Sequence, residues 1–153
     1  MTDPTRAARP MPSRRSAYPA LRPITTRWMD NDVYGHLNNV VHYSLFDTAV
    51  NGHLIEQGGL DIHHGSVIGL VVETRCHYFD SLSFPQTVWA GLKLLHRGRS
   101  SVQIEVALFG GEAERAAALG RFVHVYVDRE TRRPVAELPM ALAEALDQLK
   151  AAA

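Results

Sequence analysis

The stretch VVHYSLFDTAVNGHLIEQ, residues 40–57, decides the fold because it predicts the only long helix in the interior of the sequence. Apolar residues recur in it at spacings of three and four, which places Tyr43, Phe46, Val50 and Leu54 on one apolar face. Further apolar positions widen this face, so we expect the helix to be covered on more than one side. Gly58 and Gly59 end it, since glycine is favoured just past a helix.

Strand-like segments lie on both sides of this helix. Residues 21–29 precede it and are β-branched in their middle. Four more follow, bounded by glycine or proline turns: 67–79, 87–96, 101–109 and 117–128. The segment 101–109 alternates apolar and polar residues most clearly. Residues 140–153 are rich in alanine and leucine and predict a terminal helix.

This order of elements predicts an α+β fold in a single domain. Successive strands with short turns favour an antiparallel sheet, and the long helix would cover one of its faces. The length of 153 residues suits one domain with its own core. Residues 1–20 are rich in arginine and proline and lack an apolar stretch. We predict a disordered N-terminal tail there, and a folded domain over 21–153.

The composition argues against several classes of function. Sixteen basic and sixteen acidic residues give zero formal net charge, whereas a nucleic-acid-binding protein usually has a basic excess. No apolar run approaches the ~20 residues that span a bilayer. The single cysteine, Cys76, fits a reducing compartment. We therefore expect a cytoplasmic protein without a nucleic-acid partner or membrane insertion, and the low net charge makes self-association easy.

The loop before the helix, DNDVYGHLNN from Asp30 to Asn39, concentrates polar chemistry. It contains two carboxylates, a glycine, a histidine and three amides. Catalytic groups concentrate in loops that a rigid scaffold holds, so this loop is a candidate site. The residues alone leave simpler roles open: Asp32 suits a turn, and Asn38 or Asn39 suits a helix cap.

This loop resembles the Asp-x-Asp-x-x-Gly-His-x-Asn-Asn pattern of the 4-hydroxybenzoyl-CoA thioesterase family, within the hotdog superfamily, and matches it throughout. The resemblance implies a hotdog fold, in which a five-stranded antiparallel sheet wraps around one long central helix. It also implies hydrolysis of acyl-CoA thioesters with neither a metal nor an organic cofactor. Such proteins are homodimers or homotetramers with active sites at subunit interfaces.

The same resemblance implies catalytic roles within the loop. Asp32 takes the position of the family's catalytic aspartate, which acts as a nucleophile on the thioester or as a general base for water. Gly35 would let the backbone turn close to the substrate. His36 and Asn39 would orient the carboxylate, a water or the thioester. Backbone N–H groups at the helix start would stabilise the oxyanion.

Substrate-binding residues are implied outside the loop as well. Arg97 and Arg99 lie where related enzymes place basic residues near the CoA phosphates, and a guanidinium fork suits phosphate oxygens. Ser100 would add a hydroxyl donor. His42 stands where relatives often have tyrosine, so the acyl preference stays open, and His42 would add a titratable group near the acyl pocket.

Two other functions stay open for this sequence. A hydratase or dehydratase of acyl thioesters would use a histidine with a carboxylate, as His36 and Asp32 would allow. A non-catalytic module would bind acyl-CoA without turnover. The eight histidines do not show the spacing of a metal site, and we expect no metal.

Overall fold

The computed structural model describes residues 8–151, and its main elements follow the predicted order. Short 3-10 turns at Arg15–Ala17 and Trp28–Asp30 flank the first strand. The strands and helices are β1 (Ala20–Ile24), α1 (Asn39–Glu56), β2 (Val67–Tyr78), β3 (Val88–Arg97), β4 (Ser101–Gly110), β5 (Ala118–Asp128) and α2 (Met140–Asp147).

The five strands form one antiparallel sheet in the order β1-β3-β4-β5-β2. The short turns predicted between strands therefore join β3, β4 and β5, which are neighbours in the sheet. By contrast, β2 pairs with β5 rather than with the next strand in the chain. The connection from β2 to β3 consequently crosses the end of the sheet, and β1 and β2 form its two edges.

Helix α1 packs on the inner face of the sheet through the predicted apolar stripe. Phe46, Val50 and Leu54 are almost fully buried, whereas Tyr43 at the end of the stripe is partly buried. The ring of Phe46 lies directly on Gly120 of β5. A Cβ atom added to Gly120 would come within 2.8 Å of this ring. The sheet thus wraps around one long helix, and the predicted fold is confirmed.

The start of α1 is set by Asn38. Its side-chain oxygen accepts a hydrogen bond from the backbone N–H of Val40 at 2.9 Å, so Asn38 is the cap and Asn39 is the first helical residue. This contact resolves the choice between the two asparagines, because a capping oxygen must reach an N–H two or three residues ahead.

Helix α2 is shorter than predicted. It ends at Asp147, although helical propensity favours continuation to the end of the chain. The backbone after it turns to pair with β3: Leu94 N–H donates to the carbonyl of Leu149 at 2.7 Å, and Leu149 is fully buried. Tertiary hydrogen bonding and burial here outweigh local propensity.

The N-terminal segment also differs from the prediction. Residues 1–7 of the predicted disordered tail lie outside the described residues, but the chain from Ser13 onward is folded against the outer face of the sheet. Tyr18 is 6% exposed and shares hydrogen bonds with Ser13 Oγ at 2.6 Å and Glu105 Oε2 at 2.9 Å. Its ring covers Gly91, where a Cβ would approach within 2.6 Å. In the structure this part of the predicted tail packs on the sheet, because burial of one aromatic ring and its hydrogen bonds holds it there.

Two buried histidines should make stability depend on pH. Burial lowers the pKa of His42 and of His124, the latter despite the nearby carboxylate of Asp47. In the unfolded chain these histidines have a pKa of ~6.5, which is above their pKa in the folded chain. As the pH falls through this range the unfolded chain therefore binds more protons than the folded chain, and the unfolding free energy decreases. We expect His124→Phe to flatten the decline of the unfolding free energy between pH 7 and 5. Urea denaturation across that range tests this.

Leu108→Ala provides the control, since it removes a fully buried side chain without a titratable group and should lower the unfolding free energy without changing its slope with pH. An unchanged slope in His124→Phe would contradict the assignment.

Candidate active site

Backbone hydrogen bonds hold the polar loop at the head of α1. Asp32 N–H donates to the carbonyl of His36 at 2.8 Å, and Gly35 N–H donates to the carbonyl of Asp32 at 3.1 Å. Gly35 has a φ of 83°, a left-handed conformation that other residues adopt only with strain. Leu37 N–H then donates to the carbonyl of Leu82, which ties the loop to the connection between β2 and β3. The glycine of the motif is therefore required by the shape of the turn.

Asp30, the first carboxylate of the loop, has structural contacts. It is 2% exposed and accepts hydrogen bonds from the backbone N–H of Arg27 at 2.8 Å and from its guanidinium at 2.9 Å. These contacts close the 3-10 turn that precedes the loop. A buried carboxylate with these partners stabilises the loop and is not free to react.

Asp32, the second carboxylate, faces open space. Its Oδ1 accepts a hydrogen bond from Tyr34 N–H at 2.9 Å, and within residues 8–151 no hydrogen-bond partner is seen for Oδ2. The side chain lies between two clefts. The larger, about 720 Å³, is also lined by Trp28, Asn31, Val33, Tyr34, Gly35 and Asn38. The smaller, about 250 Å³, is also lined by His36, Leu37, Asn39, His42, Tyr78, Asp80, Ser81 and Leu82.

His42 forms part of the wall of the smaller cleft. It is 4% exposed, its Nδ1 donates to the carbonyl of Asn38 at 3.1 Å, and its ring meets Tyr78 edge to face at 4.9 Å. Burial lowers its pKa, although the hydrogen bond to Asn38 opposes the shift. The histidine is therefore neutral near pH 7, with Nε2 as an acceptor. It differs chemically from a tyrosine at this position, which would offer a hydroxyl donor.

His36 and Asn39 are both exposed beside Asp32. Among the described residues neither side chain forms a hydrogen bond to the Asp32 carboxylate. The backbone of Asn39 offers a clearer contribution. Its N–H at the start of α1 has no acceptor within residues 8–151, whereas the next N–H is taken by the cap. Such an amide is suited to bind an oxyanion.

Arg97 is the last residue of β3, and Arg99 and Ser100 lie in the turn that follows it; all three are far from Asp32 within one chain. The Asp32 loop contacts the segment just before β3, whereas the turn lies at the other end of this ten-residue strand. At ~3.3 Å per residue the two ends are about 30 Å apart. One subunit alone therefore does not bring the predicted phosphate-binding residues to the predicted catalytic residue.

The arginines of this turn differ in their contacts. Arg97 Nε forms an ion pair with Asp147 Oδ1 at 3.3 Å. Within the described part of the chain no ion pair is seen for Arg99, which is exposed. Both arginines line a cleft of about 300 Å³ with Glu137 and Leu138. Arg99 is consequently the freer of the two to meet a phosphate.

Three polar residues that line the smaller cleft were not among the predicted site residues: Tyr78, Asp80 and Ser81. Tyr78 is the last residue of β2, and Asp80 and Ser81 follow it, some forty positions after the motif. The hydroxyl of Tyr78 donates to the carbonyl of Asn39 at 3.2 Å, which joins the end of β2 to the head of α1. Local periodicity contains no signal for this contact, because it depends on the pairing of β2 with β5.

Metal ligation and thiol chemistry find no support in the described part of the chain. There, no set of three or more His, Cys, Asp or Glu side chains is arranged to hold a metal ion. Burial raises the pKa of the Cys76 thiol in β2, which disfavours the reactive thiolate. None of the helices in this part is both long and apolar enough to span a bilayer.

A five-stranded antiparallel sheet around one long helix, with a polar loop at the helix head, defines the hotdog class. Within it, the family description of the thioesterase-like superfamily matches residues 26–146. The chain belongs to the thioesterase-like superfamily and is a thioester hydrolase.

Solved structures show the same fold. The PA5185 protein of Pseudomonas aeruginosa is 52% identical and has a TM-score of 0.89, over 93% of this chain and 99% of that one. SAV2348 of Staphylococcus aureus, solved in complex with CoA, is 14% identical, with a TM-score of 0.76 over 87% and 86% of the chains. Slr0204 of Synechocystis, a 1,4-dihydroxy-2-naphthoyl-CoA thioesterase, is 14% identical and has a TM-score of 0.75, over 84% of this chain and 96% of that one. The last two likenesses concern the fold alone. No curated protein matches the chain.

Proposed function

We propose that the protein hydrolyses an acyl-CoA thioester to the free acid and CoA, with Asp32 as the catalytic carboxylate. The observation that carries this proposal is the position of that carboxylate between two clefts at the head of α1, with Oδ2 unpaired among the described residues. A carboxylate buried in the interior could not reach a substrate. The CoA thiolate leaves without a strong general acid, because a thiol has a pKa of only about 8.5.

The loop supplies the parts that such a hydrolysis needs. Asp32 attacks the thioester carbonyl or takes a proton from a water that attacks it. The N–H of Asn39 stabilises the oxyanion, a contribution of about 3 to 4 kcal/mol for one donor. Gly35 keeps the turn beside the reacting carbonyl free of side chain. His36 and the Asn39 side chain reach the water or the thioester rather than Asp32.

A second subunit would complete the site. Strand β2 is a twelve-residue edge of the sheet, and Leu70, Val71 and Val72 on it are 38%, 46% and 60% exposed. A long edge strand with exposed apolar side chains is suited to pair with another copy. We expect two copies of β2 to pair antiparallel, which gives a homodimer with one continuous sheet.

Antiparallel pairing also explains how separated residues meet. The end of β2 at Tyr78 lies at the Asp32 loop, whereas the Val67 end lies beside the Ser100 turn, because Tyr126 N–H donates to the carbonyl of Ser100. Pairing two copies in opposite directions places the turn of one subunit at the same end of the joined sheet as Asp32 of the other. The predicted phosphate contacts would then come from the partner.

The substrate class rests on chemistry and on the comparisons. SAV2348 binds CoA and Slr0204 acts on a CoA thioester, which supports a CoA ester here. The test is a panel of aliphatic and aromatic acyl-CoA esters, followed by detection of free thiol. Thiol release supports the proposal. Hydration of an enoyl-CoA instead would favour a hydratase, and binding without turnover would favour an acyl-CoA-binding module.

Arg99 should contribute to CoA recognition. We expect Arg99→Gln to raise the KM for acyl-CoA esters about tenfold, since a charge-assisted hydrogen bond to phosphate contributes about 1.5 to 3 kcal/mol. The KM for acyl-pantetheine esters, which lack the nucleotide phosphates, should not change. Arg133→Gln, at another exposed turn, is the matched control. Equal effects on both ester types would contradict a phosphate contact.

A further inference from the structure

A row of four charged side chains crosses the outer face of the sheet, opposite to α1. Lys93 of β3 pairs in register with Glu105 of β4, Glu105 pairs with Arg121 of β5, and Arg121 pairs with Arg75 of β2. Partners in register lie on the same face with Cβ atoms about 5 Å apart. The charges along the row are therefore positive, negative, positive and positive.

Glu105 is already shared by two cations. It is 4% exposed, and its Oε2 lies 3.2 Å from Lys93 Nζ and accepts the Tyr18 hydroxyl at 2.9 Å. Its Oε1 accepts from Arg121 Nε at 3.3 Å. One carboxylate thus balances one of three cations, and the row retains two positive charges.

The excess charge lies at Arg75 and Arg121. Like charges placed directly opposite each other on antiparallel strands repel and destabilise the sheet. Within residues 8–151, the Arg75 side chain forms neither an ion pair nor a hydrogen bond, and it is exposed. An anion between the two guanidinium groups would relieve this repulsion.

A cleft of about 430 Å³ lies at this pair. Besides Arg75 and Arg121, the cleft is lined by His77 and Leu119 of the sheet and by Ala8, Arg9 and Pro10 of the N-terminal segment. Arg9 is thus a third arginine at the cleft. None of these residues lines the two clefts at Asp32. The cleft and helix α1 lie on opposite faces of the sheet, so this space is separate from the proposed active site.

We propose that this cleft binds a phosphate-bearing ligand through Arg75, Arg121 and Arg9. Guanidinium groups donate paired hydrogen bonds to phosphate oxygens, and two of them side by side suit a ligand with adjacent phosphoryl groups. The ligand has two possible sources with the same chemistry: the phosphates of CoA, or a separate nucleotide. Binding of phosphate at this cleft does not depend on Asp32, whereas its assignment to CoA rests on the proposed hydrolysis of acyl-CoA.

Titration calorimetry with inorganic pyrophosphate tests the site in the full-length protein. We expect saturable binding that Arg75→Gln weakens at least tenfold, whereas the control Arg133→Gln leaves it unchanged. Asp32→Asn should also bind pyrophosphate normally. Absence of saturable binding, or equal affinity in the wild type and Arg75→Gln, would overturn the proposal.

Reversal of the charge separates ligand binding from a purely structural role. Arg75→Glu places opposite charges on the paired strands, so we expect the unfolding midpoint to rise by about 2 °C while pyrophosphate binding is lost. If Arg75→Glu is unfolded, its loss of pyrophosphate binding says nothing about the site, and the binding measured for Arg75→Gln decides. If light scattering shows instead that Arg75→Glu dissociates an oligomer and the wild type does not bind pyrophosphate, the face is a contact between copies and the proposal is wrong.

Competition identifies the source of the ligand. Displacement of pyrophosphate by adenosine 3′,5′-bisphosphate, together with a raised KM of Arg75→Gln for acyl-CoA but not for acyl-pantetheine esters, assigns the site to CoA. Displacement by ATP with unchanged KM values assigns it to a separate nucleotide. Either result supports the phosphate site.

Discussion

Asp32→Asn is expected to lower the turnover of acyl-CoA esters at least ~100-fold, because an amide neither attacks the carbonyl as a carboxylate does nor takes a proton from water. The folded structure should survive. Oδ1 of Asp32 accepts one hydrogen bond, from Tyr34 N–H, and the carbonyl oxygen of an asparagine can accept the same bond. The loss should therefore appear in kcat, with an unfolding midpoint close to that of the wild type.

Thiol release under substrate saturation, followed alongside thermal unfolding, measures both quantities. Asp47→Asn is the matched control, since Asp47 is an exposed carboxylate of α1 outside both clefts at Asp32. It should retain full turnover. If Asp32→Asn releases thiol at nearly the wild-type rate, Asp32 is not the catalytic carboxylate, whatever the fold.

Phe46→Ala should cause the largest loss of stability. Phe46 is fully buried, and its ring lies 5.8 Å from that of Tyr43 and 5.5 Å from that of Phe122. Truncation removes the contact between α1 and β5 and leaves a cavity, which costs about 3 to 5 kcal/mol. A domain of this size would lose roughly 10 °C in its unfolding midpoint. Urea denaturation at a fixed protein concentration measures the free energy.

Ile55→Ala tests whether burial is the cause. Ile55 lies on the same helix but is 43% exposed, so we expect a loss below about 1 kcal/mol. Equal losses in the two variants would mean that α1 is not held to the sheet by the apolar stripe.

Local patterns were sufficient to predict much of the fold. The alternation in β4 predicts its inner face and the stripe on α1 predicts the buried face of the helix, because the periods of two and 3.6 residues are properties of the backbone. The outer face of β4 is also buried at Glu105, Ala107 and Phe109, where Tyr18 covers the sheet, and the alternation does not predict this. The same patterns could not give the sheet order, since the pairing of β2 with β5 is a contact between distant segments. They also predicted a tail over the segment that contains the buried Tyr18. Its ring fits on the sheet only because Gly91, on a distant strand, has no side chain there.

The polar loop from Asp30 to Asn39 shows the same division. The sequence by itself determined the loop, with Asp32 beside the helix start and Gly35 at the turn, because those contacts join residues within a few positions of one another. Only the tertiary structure placed Tyr78 in the cleft at Asp32 and set the Arg99 turn at the far end of β3. The positive pair Arg75 and Arg121 likewise exists only through strand register. Contacts along the chain can be inferred from adjacent residues, whereas contacts across strands depend on the packing of the whole sheet.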